Sequence, residues 1–301
     1  MKTIAITDAT TVLAALQKSG YSRTKVKQLL KYRAVQVDGV VVSHPEYVLA
    51  AGDTLTVSTE KEGSSTATQL CPGIDILFED DDLVVINKPA GLLTIASASE
   101  KTRTVFYKLS ACMETRPQGR DRVFVVHRLD QGASGLLLFA KNEAAQHSLQ
   151  KAWPQAEKRF FAVVEGTPAT ASGTITSFLS ESINHRMYST PKNTGEGKAA
   201  ETRYRVMRSC GDYSLVEVSL ITTRKNQLRV HLADLGHPVV GDKKYGAKTD
   251  PIKRLALHAS QLVLPHPTTG QALVFSARMP QKFHSLLTME QPSGKKTEST
   301  P

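Results

Sequence analysis

Asp130 occupies a polar turn, His127-Arg128-Leu129-Asp130-Gln131-Gly132-Ala133-Ser134-Gly135, between two apolar runs, VFVV and LLLFA. Both runs predict buried strands, so the turn would hold one carboxylate at the rim of a core. An aspartate there can do three things. It can bond local backbone N–H groups, as Asp does in Gly-containing turns. It can ligate a metal, although no second carboxylate or His cluster stands nearby at ligand spacing. It can act as a lone catalytic carboxylate, which must stay ionised while partly buried and therefore needs a cation beside it. Arg128 lies two positions away, on the same face of an extended segment. Arg229, on a later helical pattern, is the other candidate. Spacing alone leaves the turn residue and the catalytic carboxylate both open.

Around this turn, residues 74–286 carry many short β-rich runs: DILF, LVVINKP, VFVV, LLLFA, FFAVVEG, TRYRVMRS, YSLVEVSL, LVLP and ALVFSA. Two helical segments stand among them, NEAAQHSLQKAW with an Asn142 cap and QLRVHLADLG ending at Gly236. Strands outnumber helices, and the connections are too short for βαβ crossovers. The expected class is α+β, on a mixed, mainly antiparallel sheet with flanking helices.

The first 60 residues form a second pattern: a helix over Val12, Leu13 and Leu16, a helix SRTKVKQLLKY capped by Ser22, a hairpin AVQV-DG-VVV turning at Asp38-Gly39, and a strand DTLTVS. Arg23, Lys27 and Lys31 fall at i, i+4 and i+8, one basic stripe on the second helix. Such a stripe is commonly just a solvated face. Residues 61–73 are small and polar and predict a linker, and 287–301 predict a disordered tail.

Composition narrows the partners. The 301 residues hold 38 Lys and Arg against 28 Asp and Glu, a net charge of +10, as suits a protein that binds a polyanion such as nucleic acid. Cys71, Cys112 and Cys210 are odd in number and widely spaced. That predicts no disulfide framework, no structural zinc and a reducing cytosol. The N-terminus makes a poor signal peptide, and no apolar run approaches the ~20 residues that span a bilayer. Nucleotide-binding loops are absent.

HRLDQGASGLLLFAK resembles the signature of the RluA family of RNA pseudouridine synthases. Five other blocks are similar to that family: EDDDLVVINKPAGLL (79–93), EKRFFAVVEG (157–166), GKAAETRYRV (197–206), RKNQLRVHLADLGHPVVGDKKYG (224–246) and LALHASQLVLPHPTTG (255–270). Residues 10–58 resemble the ribosomal-S-four-type RNA-binding module. The resemblance implies a pseudouridine synthase fold over 74–286, preceded by an RNA-binding module over 1–60. The activity it implies is isomerisation of uridine to pseudouridine in RNA, without metal or organic cofactor. Asp130 would be the catalytic carboxylate, attacking the ribose anomeric carbon or deprotonating carbon 2. Arg229 would pair with it and hold it ionised. Arg128 would enter the RNA and help hold the nucleotide out of its stack. Phe160 would stack on the uracil; Arg23, Lys27, Lys31 and Arg224 would meet RNA.

Three departures from the family pattern stand out. Gly132 and Ala133 replace an acidic residue and a threonine in the turn. Thr223-Arg224-Lys225-Asn226-Gln227 replaces Gly-Arg-Thr-His-Gln. Phe160 replaces a tyrosine and lacks its hydroxyl. The implied target is ribosomal RNA of the large subunit, ahead of transfer RNA, for a monomeric cytoplasmic protein. Two other readings share the fold: a catalytically weak RNA-binding or ribosome-assembly factor, and an N-glycosidase. The second lacks a recognisable acid for the leaving base.

Overall fold

A computed structural model describes residues 2–31, 34–37, 40–42, 44–57, 71–115, 122–193, 195 and 197–288. The turn expected at Asp38-Gly39, most of the expected linker and nearly all of the expected tail lie outside the described residues. The elements in chain order are β1 (Lys2–Ala5), β2 (Thr10–Thr11), α1 (Val12–Lys18), α2 (Arg23–Lys31), β3 (Val35–Val37), β4 (Val40–Val42), β5 (Val48–Leu49), β6 (Thr54–Val57), β7 (Asp75–Glu79), β8 (Leu83–Lys88), α3 (Val105–Glu114), β9 (Phe124–Val125), β10 (Ser134–Ala140), α4 (Glu143–Ala152), β11 (Glu157–Glu165), β12 (Ser172–Glu181), β13 (Met187–Thr190), β14 (Lys198–Cys210), β15 (Tyr213–Leu220), α5 (Gln227–Asp234), β16 (Leu257–Pro265), β17 (Ala272–Ser276) and α6 (Gln281–Leu286). Strand-rich, with six flanking helices among the described residues, the fold is α+β. The chain parts into two compact units, 1–159 with 259–278 and 160–258 with 279–301.

In the first unit, the N-terminal residues close around a core of their own, with Val12, Leu16, Val26, Leu30, Val35, Leu49, Leu55 and Val57 buried. Local signals place the helices. The Thr11 hydroxyl accepts from Ala14 N at 3.2 Å, and the Ser22 hydroxyl accepts from Lys25 N at 3.2 Å, satisfying N–H groups that a helix start leaves unpaired. Val37 pairs with Val40 antiparallel, so β3 and β4 form the expected hairpin. β4 also runs parallel to β17, with Val41 opposite Leu273 and Val42 opposite Val274. The N-terminal residues thereby fall in one unit with the strands around Asp130.

A second core of this unit lies between α3 and the β8–β10 pair, with Val84, Ile86, Val105, Leu109, Met113, Leu137 and Phe139 buried. All seven residues of β10 are buried, as its apolar run predicts. The other run, VFVV, is extended only over Phe124–Val125, which pair with Ala140 and Phe139. There the expected longer strand is corrected. His127 turns its imidazole to the next N–H of β10, Leu138, at 3.0 Å. The side chain takes the bond that a longer strand would have supplied.

A second correction concerns the cysteines. Cys71 and Cys112 form a disulfide across 41 positions, with Cα atoms 5.5 Å apart. An odd count and wide spacing do not exclude a bridge when the segment entering β7 lies against α3. Cysteine usage therefore gives no argument for a reducing compartment. Cys210 is free.

In the second unit, β12, β14 and β15 form an antiparallel sheet, extended by the β12–β13 hairpin. That hairpin, α3 and α6 were not anticipated, although α3 carries a Thr104 cap and buries Val105, Leu109 and Met113 at helical spacing. α5 packs beside the sheet, with Val230 buried against Leu179, Met187, Ala200 and Tyr245. Among the described residues, no helix is long and apolar enough to cross a membrane.

Candidate active site

The register of β8 against β10 sets Lys88 opposite Gly135, at the end of the turn that carries Asp130. Lys88 is fully buried. Its ammonium donates to the carbonyls of Pro89 at 2.9 Å, Leu92 at 2.7 Å and Gln131 at 3.2 Å. A buried charge is tolerable only when such partners replace water. Lys88 thus ties segment 89–92 to the residue after Asp130. The same two segments meet again through Gly91 N to Gln131 O at 2.8 Å and Gln131 Nε2 to Gly91 O at 3.1 Å.

On the other side of Asp130, the buried Thr94 hydroxyl donates to Leu129 O at 2.9 Å and accepts from Leu129 N at 3.1 Å. Both neighbours of Asp130 are therefore clamped by segment 88–94. Asp130 itself is half-buried and Arg128 exposed. The turn is thus held from outside, by a segment 35 to 43 positions earlier in the chain. Gly135 completes it with φ +108°. A Cβ there would stand 2.2 Å from Ala259 O, so only glycine fits.

His127 closes the other end. Because Nε2 accepts from Leu138 N–H, the neutral ring carries its proton on Nδ1. The ring stacks on Trp153 with centroids 4.1 Å apart. Burial, then the Lys158 ammonium, push its pKa down to about 3. The folded state thus resists a proton that the unfolded chain accepts near its ordinary pKa of ~6.5. Stability should fall as pH drops from ~6.5 toward 3, because the unfolded state binds more protons over that window. A His127→Gln protein should show a shallower loss of melting temperature between pH 6.5 and pH 4. Equal slopes for the two proteins would remove His127 from the acid transition.

In the second unit, Arg229 on α5 forms a two-pronged bond to Asp242, Nε to Oδ2 at 2.6 Å and Nη2 to Oδ1 at 2.7 Å. The Asp242 side chain is 1% exposed and that of Arg229 14%. Such forked geometry fixes the guanidinium plane. Tyr245 adds a face, its ring centre 4.9 Å from Arg229 Cζ. The altered helix start is accommodated locally. Asn226 takes φ 53°, a left-handed conformation that Asn tolerates, and its Nδ2 donates to Tyr245 Oη at 2.9 Å. Buried Gln227 accepts from Arg224 N at 3.1 Å and Thr222 Oγ1 at 2.9 Å, and donates to Thr202 Oγ1 at 2.8 Å. Arg224 is exposed, with Nε donating to Ala199 O at 3.1 Å. Phe160 lies half-buried on β11.

Lys88, Thr94 and Asp242 were not singled out from the sequence. Lys88 and Gly91 lie in the NKPAGLL block that resembled the family, and that was the available signal. Asp242 lay in GDKKYG, inside another such block.

Residues 82–234 match the RNA pseudouridylate synthase family. An uncharacterised RNA pseudouridine synthase of Bacillus subtilis, YlyB, is 34% identical over 278 residues, covering 91% of each chain. Ribosomal large subunit pseudouridine synthase D of Escherichia coli K12 is 32% identical over 285 residues, 89% of this chain and 86% of that one. Among solved structures, human RNA pseudouridylate synthase domain containing 4 superposes with a TM-score of 0.59 at 27% identity, covering 70% of this chain and 91% of that one. With a family match across half its length and relatives aligned nearly end to end, the chain belongs to the RNA pseudouridine synthase family.

Proposed function

We propose that this pseudouridine synthase acts on large-subunit ribosomal RNA, with Asp130 as its catalytic carboxylate. The observation that carries the assignment of Asp130 is the clamp around it. Leu129 and Gln131 are bonded by Thr94, Lys88 and Gly91, while Asp130 between them stays half-buried. A turn that served only to join two strands would not need a buried ammonium to hold it. The ionised carboxylate attacks the ribose anomeric carbon or removes the carbon 2 proton. The bond from ribose to ring nitrogen breaks with its electron pair on the uracil, and the uracil turns. Carbon 5 then bonds the anomeric carbon as the aspartyl ester bond breaks, or as the carbon 2 proton is returned; the carbon 5 proton leaves to solvent and the freed ring nitrogen takes up a proton. Arg229 is proposed to face the carboxylate and favour its charged form, with Asp242 holding the guanidinium plane. Arg128 is proposed to enter the RNA stack, and Phe160 to lie against the uracil, contributing a stacking face.

The name of the Escherichia coli relative supports the ribosomal target. A cytoplasmic, monomeric protein follows from that substrate and from one copy of each module. Mapping pseudouridine in total RNA with and without the protein tests the reading. A new pseudouridine in transfer RNA alone would move the target, and none anywhere would favour a binding factor.

Residues 1–60 are proposed to be a ribosomal-S-four-type RNA-binding module, with RNA along the stripe on α2. Arg23 and Lys27 are exposed there; the Lys31 side chain lies outside the described residues. Replacing all three by Gln should lower the log–log salt slope of RNA binding by about 2 to 3 units, at ~0.7–0.9 per phosphate contact. An unchanged slope would mark the stripe as a solvated face.

A further inference from the structure

The tip of the β12–β13 hairpin presents an unusual side chain. Ile183 is 98% exposed. Hairpin tips favour Gly, Asn, Asp and Ser, which suit the turn or bond its backbone. A β-branched apolar residue contributes nothing of that kind, and here it packs on nothing. Yet the loop beneath it is held firmly. Ser182 N donates to Arg186 O at 2.8 Å, and His185 N donates to Ser182 O at 2.9 Å. Arg186 N donates to the Ser182 hydroxyl at 3.2 Å, and Lys244 Nζ to His185 O at 3.1 Å. The loop therefore projects Ile183 in a closed, pre-organised frame, which loses little freedom on binding.

The surroundings are cationic. The Tyr245 ring has Arg186 at 5.5 Å and Lys244 at 5.9 Å on the hairpin side, besides Arg229 at 4.9 Å. Lys225 bonds Glu181 at the hairpin base, as does His185; these bonds, that of Lys225 first, hold the carboxylate below its usual range. Tyr188, 46% exposed, stands on β13 of the same hairpin. Met187 N donates to Tyr245 Oη at 3.3 Å, so the hairpin and the Arg229 side chain share one aromatic anchor. An apolar point and an exposed aromatic ring on one hairpin, with Arg186 on it and Lys225 and Lys244 beside it, match a nucleic acid, with bases for the first two and phosphates for the cations.

Resting on the RNA synthase reading, we infer that Ile183 is a wedge that enters a base step of the substrate RNA, with Arg186 and Lys244 on the flanking phosphates. A single exposed apolar residue is ordinary on a protein surface. The closed loop, the cations and the link to the Arg229 anchor set this one apart. Ile183 is a positioning residue, acting by keeping the step open while the nucleotide is out of its stack.

The test uses the full chain and an unmodified large-subunit ribosomal RNA transcript with tritium at uracil carbon 5, which is released as pseudouridine forms. Ile183→Ser should lower kcat/KM roughly ten- to hundredfold, the scale of holding one base step unstacked. Ile183→Leu, still apolar, should stay within about threefold of the parent. The melting temperature should not move in either variant, since the side chain packs on nothing. A benzophenone amino acid at position 183 should photo-crosslink to the transcript. Full turnover by Ile183→Ser, or crosslinks only to a second protein copy, overturns the wedge. Crosslinking to RNA with no tritium release even from the parent protein supports the wedge and overturns the proposed target.

Discussion

Asp130→Asn should lower pseudouridine formation by at least ~10²–10⁴-fold, the range a positioned acid–base or nucleophilic group contributes, while RNA affinity stays nearly unchanged. The amide has the shape of the carboxylate. Leu129 and Gln131 are held through their own backbone groups by Thr94, Gly91 and Lys88, and Ala133 N bonds the backbone oxygen of Asp130 at 3.1 Å. What changes is the ability to attack carbon or accept a proton, which matters only on the way to the transition state. Tritium release under single-turnover conditions, with a parallel filter-binding titration, separates the two quantities. Residual turnover within tenfold of the parent would reduce Asp130 to a turn residue.

Lys88→Met should be the most damaging change away from the reacting groups. The chain length is similar, but three carbonyls lose a charged donor in a fully buried place. Hydrogen bonds to charged groups are worth about 1.5–3 kcal/mol each. Gln131 O keeps its bond from Gly91 N, so the expected loss is roughly 3 kcal/mol rather than the full sum. For a protein of this size the melting temperature should drop by roughly 6–12 °C. The same bonds hold the segment after Asp130, so kcat should also fall at temperatures where the variant is fully folded. Thermal melts with tritium release at 15 °C distinguish the effects. A variant that is destabilised but turns over normally when folded would make Lys88 a fold residue with no part in placing Asp130.

The chain wrote much of this protein locally. The apolar run of β10 had to be buried whichever partner it found, and Ser22 and Asn142 mark their helix starts through the N–H groups they accept. HRLDQGASGLLLFAK identified the family and pointed to Asp130, because a signature that dense leaves little room for another. Tertiary structure decided what holds that residue. Lys88 reaches Gln131 across 43 positions and Thr94 reaches Leu129 across 35; no periodicity reports such bonds, and a lysine ending an apolar strand looks like an ordinary solvated end. The same holds for Arg229, whose fork to Asp242 depends on how α5 meets the loop that follows it. The Cys71–Cys112 bridge ran against the sequence expectation for one physical reason: pairing is set by distance in space, and three cysteines far apart in the chain carry no measure of it. Element type follows from local sterics and side-chain period, whereas the satisfaction of a buried ammonium, a guanidinium or a thiol is settled only when distant segments pack.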